Sequence, residues 1–266
     1  MKLVDRGTGP AVVVIPGVQG RWEWMKPAID ALAASCRVVT FSLADEPTCE
    51  AEFDERAGFA CYVEQVRQAM DQAGLAQAAV CGVSYGGLVA AAFAARYPER
   101  VTGLVLVSAL PPTWVPDRRV RFYLRAPRLL MPLFMAASLR MYREIAAAHD
   151  DRASGVRAAV RHASTVLRHM FHPVRMARRV RLLAGADFES LSRVQAPALI
   201  VTGEAALDRV VPVRATREYL RVLPHAQVAT VWRTGHLGLI TRPDVFAGIV
   251  VPFVCGSGEE GRRRVG

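Results

Sequence analysis

The chain has 266 residues, 52% of them hydrophobic and 22% charged, with 34 basic against 24 acidic side chains and a formal net charge of +10. That length and apolar content suit one sizeable α/β domain with room for an inserted lobe, and they exclude global disorder. No apolar run reaches the roughly 18 residues of a membrane span and no secretory leader precedes the first strand-like run, so a cytoplasmic protein is expected.

In chain order, Ala11-Val12-Val13-Val14-Ile15 is an unbroken β-branched run, the pattern of a strand buried on both faces. Pro16-Gly17-Val18-Gln19-Gly20 breaks it, residues 22–34 carry helical apolar spacing, and 37–42 reads as a second strand. A polar loop (43–54) leads to a long amphipathic helix over 55–73 that Gly74 ends. Residues 78–81 form the next strand and run straight into Gly82-Val83-Ser84-Tyr85-Gly86. An alanine-rich helix over 85–97 follows, stopped by Pro98, and 101–107 is another buried strand. Alternating strands and helices with short connections predict a doubly wound, mostly parallel sheet covered on both faces. In such sheets reactive groups collect at the carboxyl ends of the strands.

The alternation stops at Pro111-Pro112. From there to residue 186 the pattern is helical, and six prolines break it into short helices. This insertion holds fifteen arginines against four acids (Asp117, Glu144, Asp150, Asp151), so it carries the whole charge excess. The plain reading is a solvated helical face. The functional one is a basic lobe that attracts an anionic substrate or an acidic membrane surface. No nucleic-acid partner is expected, because no recognition motif accompanies the arginines. Strand and helix patterns return at 198–202, 213–223 and 226–231, and a closing helix spans 243–255. Residues 1–110 and 187–255 thus read as the core, 111–186 as a helical cap, and 256–266, nearly without apolar residues, as a disordered tail. The five cysteines (Cys36, Cys49, Cys61, Cys81, Cys255) are odd in number and lack a C-x-x-C pair, which fits reduced thiols and implies neither a metal nor another cofactor.

Gly-x-Ser-x-Gly between an apolar strand and a small-residue helix is a sharp strand–turn–helix elbow. It lifts the Ser84 hydroxyl above the strand end, and the new helix aims free N–H groups at any oxyanion formed there. A serine hydroxyl needs an adjacent base, and the base needs an acid to orient it. Four of the six histidines fall in the insertion and His225 in a helix-to-strand turn, whereas His236 follows the last strand in a glycine-flanked loop. For the acid, Asp208 precedes Val210-Val211-Pro212 after the strand 198–202, with Glu204 as the alternative and a helix N-cap as the structural role Asp208 could fill instead.

With these residues in order, the chain resembles the α/β-hydrolase-fold serine hydrolases over almost its whole length, about 11–254. The resemblance implies Ser84 as nucleophile, His236 as general base and acid, Asp208 as its orienter, and the backbone N–H groups of Val18 and Tyr85 as the oxyanion hole. It implies hydrolysis of a carboxylic ester or thioester with a mainly apolar acyl group, a small-molecule substrate. The same triad would serve a C–C bond hydrolase, a lactonase or an acyltransferase, and the fold alone a non-catalytic receptor. Three departures from the family pattern stand out. Pro16-Gly17 replaces the usual His-Gly, Asp208 lies about two residues farther from Gly203 than usual, and no counterpart of the family's first strand is expected before Ala11.

Overall fold

The computed structural model describes the backbone of residues 1–186 and 188–265, and the side chains of these except 189, 190 and 257–265. Seven strands form one sheet: β1 (Leu3–Arg6), β2 (Ala11–Ile15), β3 (Arg37–Phe41), β4 (Ala78–Val83), β5 (Val101–Val107), β6 (Ala198–Thr202) and β7 (Gln227–Thr230). Their spatial order is β1-β3-β2-β4-β5-β6-β7, parallel throughout except for β1, which pairs antiparallel with β3. After β3 the chain crosses back over β2 to β4, so the strand order reverses between β2 and β4. In open α/β sheets the crevice at such a reversal is where ligands sit. The loop after β2 and the serine after β4 flank it.

The central strands are apolar because both faces are covered. One face packs under α2 (Ala60–Gln72) and α3 (Tyr85–Arg96), with Val13, Ile15, Val80, Leu104 and Ile200 turned towards them. The other packs under α1 (Lys26–Ala33) and the closing helix, with Val12, Val14, Ala79, Val105 and Leu199 facing that way. The period-2 alternation of β2 and β4 therefore divides one continuous run between two cores.

Between β5 and β6 the described residues form five α-helices: α4 (Arg118–Arg125), α5 (Met131–Ser138), α6 (Tyr142–Ala147), α7 (Arg152–Arg168) and α8 (Pro173–Leu182). Asp117 and Asp151 start two of them, accepting the N–H groups of Val120 and Ser154 at 2.8 Å each. Pro132 and Pro173 stand in the first turns of α5 and α8, where a missing N–H costs nothing.

Several boundaries differ from the sequence reading. A strand does precede Ala11: β1 pairs Leu3 with Phe41 and Arg6 with Val38, and Arg37 fastens it through Asp5. It is a half-exposed edge strand, so its Leu-Val-Asp-Arg sequence lacks the apolar run that marks a buried one. Helix α2 begins at Ala60 rather than 55 because Gly58 sits at φ +56°, outside helical geometry. The segment 213–223 is one α-turn, α9 (Val213–Thr216), then a 3-10 turn. After β7 come α10 (Gly238–Thr241) and the closing helix α11 (Pro243–Val265), which continues past Cys255 where a disordered tail is expected. Residues 187 and 266, at the edges of the expected second core segment and tail, lie outside the described residues.

Candidate active site

Ser84 occupies the turn between β4 and α3 at φ +54°, ψ −115°, a conformation that costs a non-glycine residue about 1–3 kcal/mol. Three backbone hydrogen bonds hold it there: its N–H donates to Val107 (2.9 Å), and its carbonyl accepts from Gly87 (3.0 Å) and Leu110 (3.2 Å). Gly82 is required because a Cβ would lie 2.2 Å from the Gly86 carbonyl oxygen. At Gly86 the obstacle is the end of β2, since a Cβ there would come within 2.6 Å of the Ile15 and Pro16 oxygens. The elbow is thus wedged against the loop after β2.

That loop stands directly over Ser84. A Cβ on Gly17 would be 3.5 Å from the Ser84 Cβ. The loop closes on itself through the Gly20 N–H to the Gly17 carbonyl (2.9 Å) and is fastened to the chain after β3 by Leu43 N–H to the Gly20 carbonyl (2.8 Å). A third fastening comes from α8: Arg179 donates through Nη1 to the Val18 carbonyl at 2.8 Å. Arg179 is fully buried, and it meets Asp45 (Nε 3.0 Å, Nη2 2.6 Å) and Glu46 (Nη2 2.6 Å). Burial would lower its pKa, but the two carboxylates outweigh burial and hold it above the ordinary arginine value. Gly20, at φ +77°, leaves room for this guanidinium, which a Cβ would meet at 2.3 Å.

Asp208 and His236 come together beyond the ends of β6 and β7. The His236 Nδ1 is 3.4 Å from Asp208 Oδ2, while Asp208 Oδ1 accepts the N–H groups of Val210 (3.0 Å) and Val211 (2.9 Å). Burial pushes the Asp208 pKa up, yet His236 and the two N–H donors prevail and hold it below the ordinary carboxylate value. Gly203 and Gly235 let the two loops touch, since a Cβ on Gly203 would sit 2.4 Å from the Gly235 oxygen. The Glu204 carboxylate is engaged elsewhere, accepting the Arg233 N–H at 2.5 Å. His236 shares a small cavity with Ser108, Thr202 and Gly203, on the carboxyl edge that also carries Ser84. Among the described residues no hydrogen bond joins the Ser84 hydroxyl to His236.

Two residues of the insertion that no sequence pattern singles out reach this edge. Arg179 is one, and Glu144 of α6 is the other. Its buried carboxylate accepts the Leu237 N–H, in the loop that carries His236. Arg233 completes the attachment, donating to the carbonyls of Ala147 (3.0 Å), the last residue of α6, and of His149 (2.9 Å) just beyond it. Burial pushes the Glu144 pKa up to about 7, against the Leu237 and Gly235 N–H groups and His236, with Asp208 adding to the rise.

Because the unfolded glutamate titrates near 4.5 and the folded one near 7, the folded protein retains a proton over that window that the unfolded chain has lost. Stability therefore declines as pH rises from 4.5 to 7. The decline amounts to roughly 3 kcal/mol at about 1.4 kcal/mol per unit of difference. Glu144→Gln keeps an acceptor for Leu237 and cannot ionise. Urea unfolding should show the variant gaining stability relative to the native protein between pH 5 and pH 8; a constant difference would show that Glu144 takes up no proton on folding.

Among the described residues no cluster of three or more His, Cys, Asp or Glu side chains could hold a metal ion, and Cys36, Cys49, Cys61, Cys81 and Cys255 are free thiols.

A strained elbow serine and a carboxylate–imidazole pair on one carboxyl edge of a mostly parallel sheet define a class, the hydrolases built on this α/β architecture. The chain belongs to the alpha/beta hydrolase family, whose sequence profile matches residues 12–249. It is 29% identical over 257 residues to a poly(3-hydroxyalkanoate) depolymerase of Ectopseudomonas oleovorans, covering 91% of this chain and 83% of the relative. Its fold matches an enol-lactonase of Burkholderia xenovorans LB400 (TM-score 0.73, 22% identity, 96% of both chains). It also matches the esterase EaEST of Exiguobacterium antarcticum (TM-score 0.78, 15% identity, 95% of this chain and 94% of that one).

Proposed function

We propose that the protein is a serine hydrolase that cleaves a carboxylic ester or thioester with a mainly apolar acyl group. The observation that carries this reading is Ser84, held at φ +54° at the start of α3 beneath the loop after β2. Its hydroxyl would attack the carbonyl carbon while His236 Nε2 takes its proton. The oxyanion would be received by the N–H groups of Tyr85, at the start of α3, and Val18, in the overlying loop. As the C–O or C–S bond breaks, the leaving group takes the proton back from His236. A water then loses a proton to His236 and attacks the acyl-enzyme, releasing the acid and restoring the Ser84 hydroxyl. Asp208 keeps Nδ1 protonated and stabilises the imidazolium.

In this reading the insertion, residues 111–186, is a cap over the site. Its apolar packing on the core runs from half-buried Phe134 to buried Phe171 (5.5 Å) and on to half-buried Trp24 (6.0 Å), so an acyl chain would meet Phe134 and Trp24. The relative named as a poly(3-hydroxyalkanoate) depolymerase supports an ester over a carbon–carbon bond, since such polymers are joined by esters.

The test is a fluorophosphonate probe together with a panel of p-nitrophenyl esters, thioesters and lactones. The native protein should be labelled and should turn over acyl esters, and labelling should vanish in Ser84→Ala while circular dichroism stays unchanged. Labelling that survives in Ser84→Ala would reject Ser84 as the nucleophile.

A further inference from the structure

Helix α7 has apolar residues on both sides. Its inner side, with Gly155 and Val166 buried, packs against α6 and the turn at 22–25. Its outer side carries Val156, Val160 and Leu167, which are 42%, 63% and 69% exposed. Spacings of four and seven residues put these three in one stripe along the helix. Each is followed directly by an arginine (Arg157, Arg161, Arg168), so a cationic stripe runs beside the apolar one in the same register. All three arginines are exposed, and among the described residues none forms an ion pair. No acid occurs within Arg152–Arg168.

A solvated helical face explains the arginines but not three large aliphatic side chains left in water beside them. Among occupants, a second copy related by a twofold axis would bring arginine stripe against arginine stripe, in an insertion whose fifteen arginines face only four acids. A nucleic acid would pair with the guanidinium groups and leave Val160 and Leu167 uncovered. A bilayer surface with anionic headgroups satisfies both stripes. The aliphatic side chains enter the headgroup–acyl boundary, while the long arginine side chains reach out to phosphate. We propose that the outer face of α7 docks on an anionic phospholipid bilayer surface, with the helix lying in the plane of the interface. Among the described residues no helix is long and apolar enough to cross a membrane, so the attachment is peripheral. Docking does not depend on the chemistry assigned to Ser84, and the test reads it without turnover.

The full chain is sedimented with extruded vesicles of phosphatidylglycerol and phosphatidylcholine in equal parts, and with phosphatidylcholine alone, at low and high salt. Binding to the anionic vesicles at low salt, little to the neutral ones, and at least about a tenfold loss of partition in both Val160→Asp/Leu167→Asp and Arg157→Glu/Arg161→Glu/Arg168→Glu are expected. Both variants alter exposed side chains only, so their melting temperatures and their hydrolysis of a short soluble ester should match the native protein's. Equal binding by the Asp variant would overturn the proposal by reducing the attraction to charge alone. So would equal binding to neutral vesicles, no binding at all, a dimer that the Asp variant dissolves, or tighter retention on a single-stranded oligonucleotide than on anionic vesicles.

Discussion

Substituting Asp208 by asparagine is expected to lower ester turnover by about 10⁴-fold, while Glu204→Gln should keep it within about threefold. The geometry around Asp208 says why an amide cannot stand in for the carboxylate. Oδ1 accepts two N–H groups, from Val210 and Val211, so that position must remain an oxygen. The amide nitrogen is then forced to the other side, where Oδ2 now meets His236 Nδ1. An N–H donor at that place obliges Nδ1 to accept, which moves the ring proton to Nε2. The nitrogen that should take the Ser84 proton would already carry one. Glu204→Gln disturbs nothing comparable, because the side chain's role is to accept the Arg233 N–H, and an amide oxygen does that too. Circular dichroism and fluorophosphonate labelling rates separate a folding defect from the tautomer effect. Adding Asp208→Asn to Ser84→Ala should cost nothing further, as for groups that act as a unit. The opposite pattern, with Glu204→Gln inactive and Asp208→Asn active, would transfer the acid's role to Glu204.

The elbow was legible because its constraint is local. Gly82, Ser84 and Gly86 lie within five residues, and the backbone crowding that demands them is between β4, α3 and the end of β2. The pairing of Asp208 with His236 was legible for a weaker reason: each stands in a loop at the carboxyl end of a strand of the same sheet, Asp208 after the buried β6 and His236 after β7. The edge strand β1 is harder: its four half-exposed residues, Leu-Val-Asp-Arg, hold no apolar run long enough to stand out, whereas β7 at the other edge lies within the expected 226–231. Glu144 and Arg179 were illegible. Each looks like any charge in an arginine-rich helical segment, and what distinguishes them is contact across long separations. Leu237 lies 93 residues from Glu144, and Asp45 lies 134 residues before Arg179. Fifteen arginines read as one solvated population hide the one that is buried. A one-dimensional pattern gives period and polarity, and neither reports which single side chain of a basic helix turns inwards to a carboxylate pair.

That inward arginine is where the largest stability effect is expected. Arg179→Met should destabilise the protein by about 3–5 kcal/mol, because it strands Asp45 and Glu46 in a buried site. This is a large share of the roughly 5–15 kcal/mol that holds a domain together. Arg178 and Arg175 still approach the two carboxylates at 3.2 and 3.5 Å, which argues for the lower end of the range. Turnover should fall as well, and for a separate reason. The Val18 carbonyl loses the donor that fixes the loop over Ser84, and a misplacement of about 1 Å at a reacting centre can cost some 10²-fold. The two effects can be pulled apart. In the triple variant Arg179→Met/Asp45→Asn/Glu46→Gln no charge is left stranded, so the urea midpoint should return most of the way to the native value. The Val18 carbonyl still lacks its donor, so kcat should stay low with KM little changed. If kcat recovers together with the midpoint, Arg179 serves only to neutralise Asp45 and Glu46, and the loop after β2 keeps its place through the Gly20 and Leu43 hydrogen bonds alone.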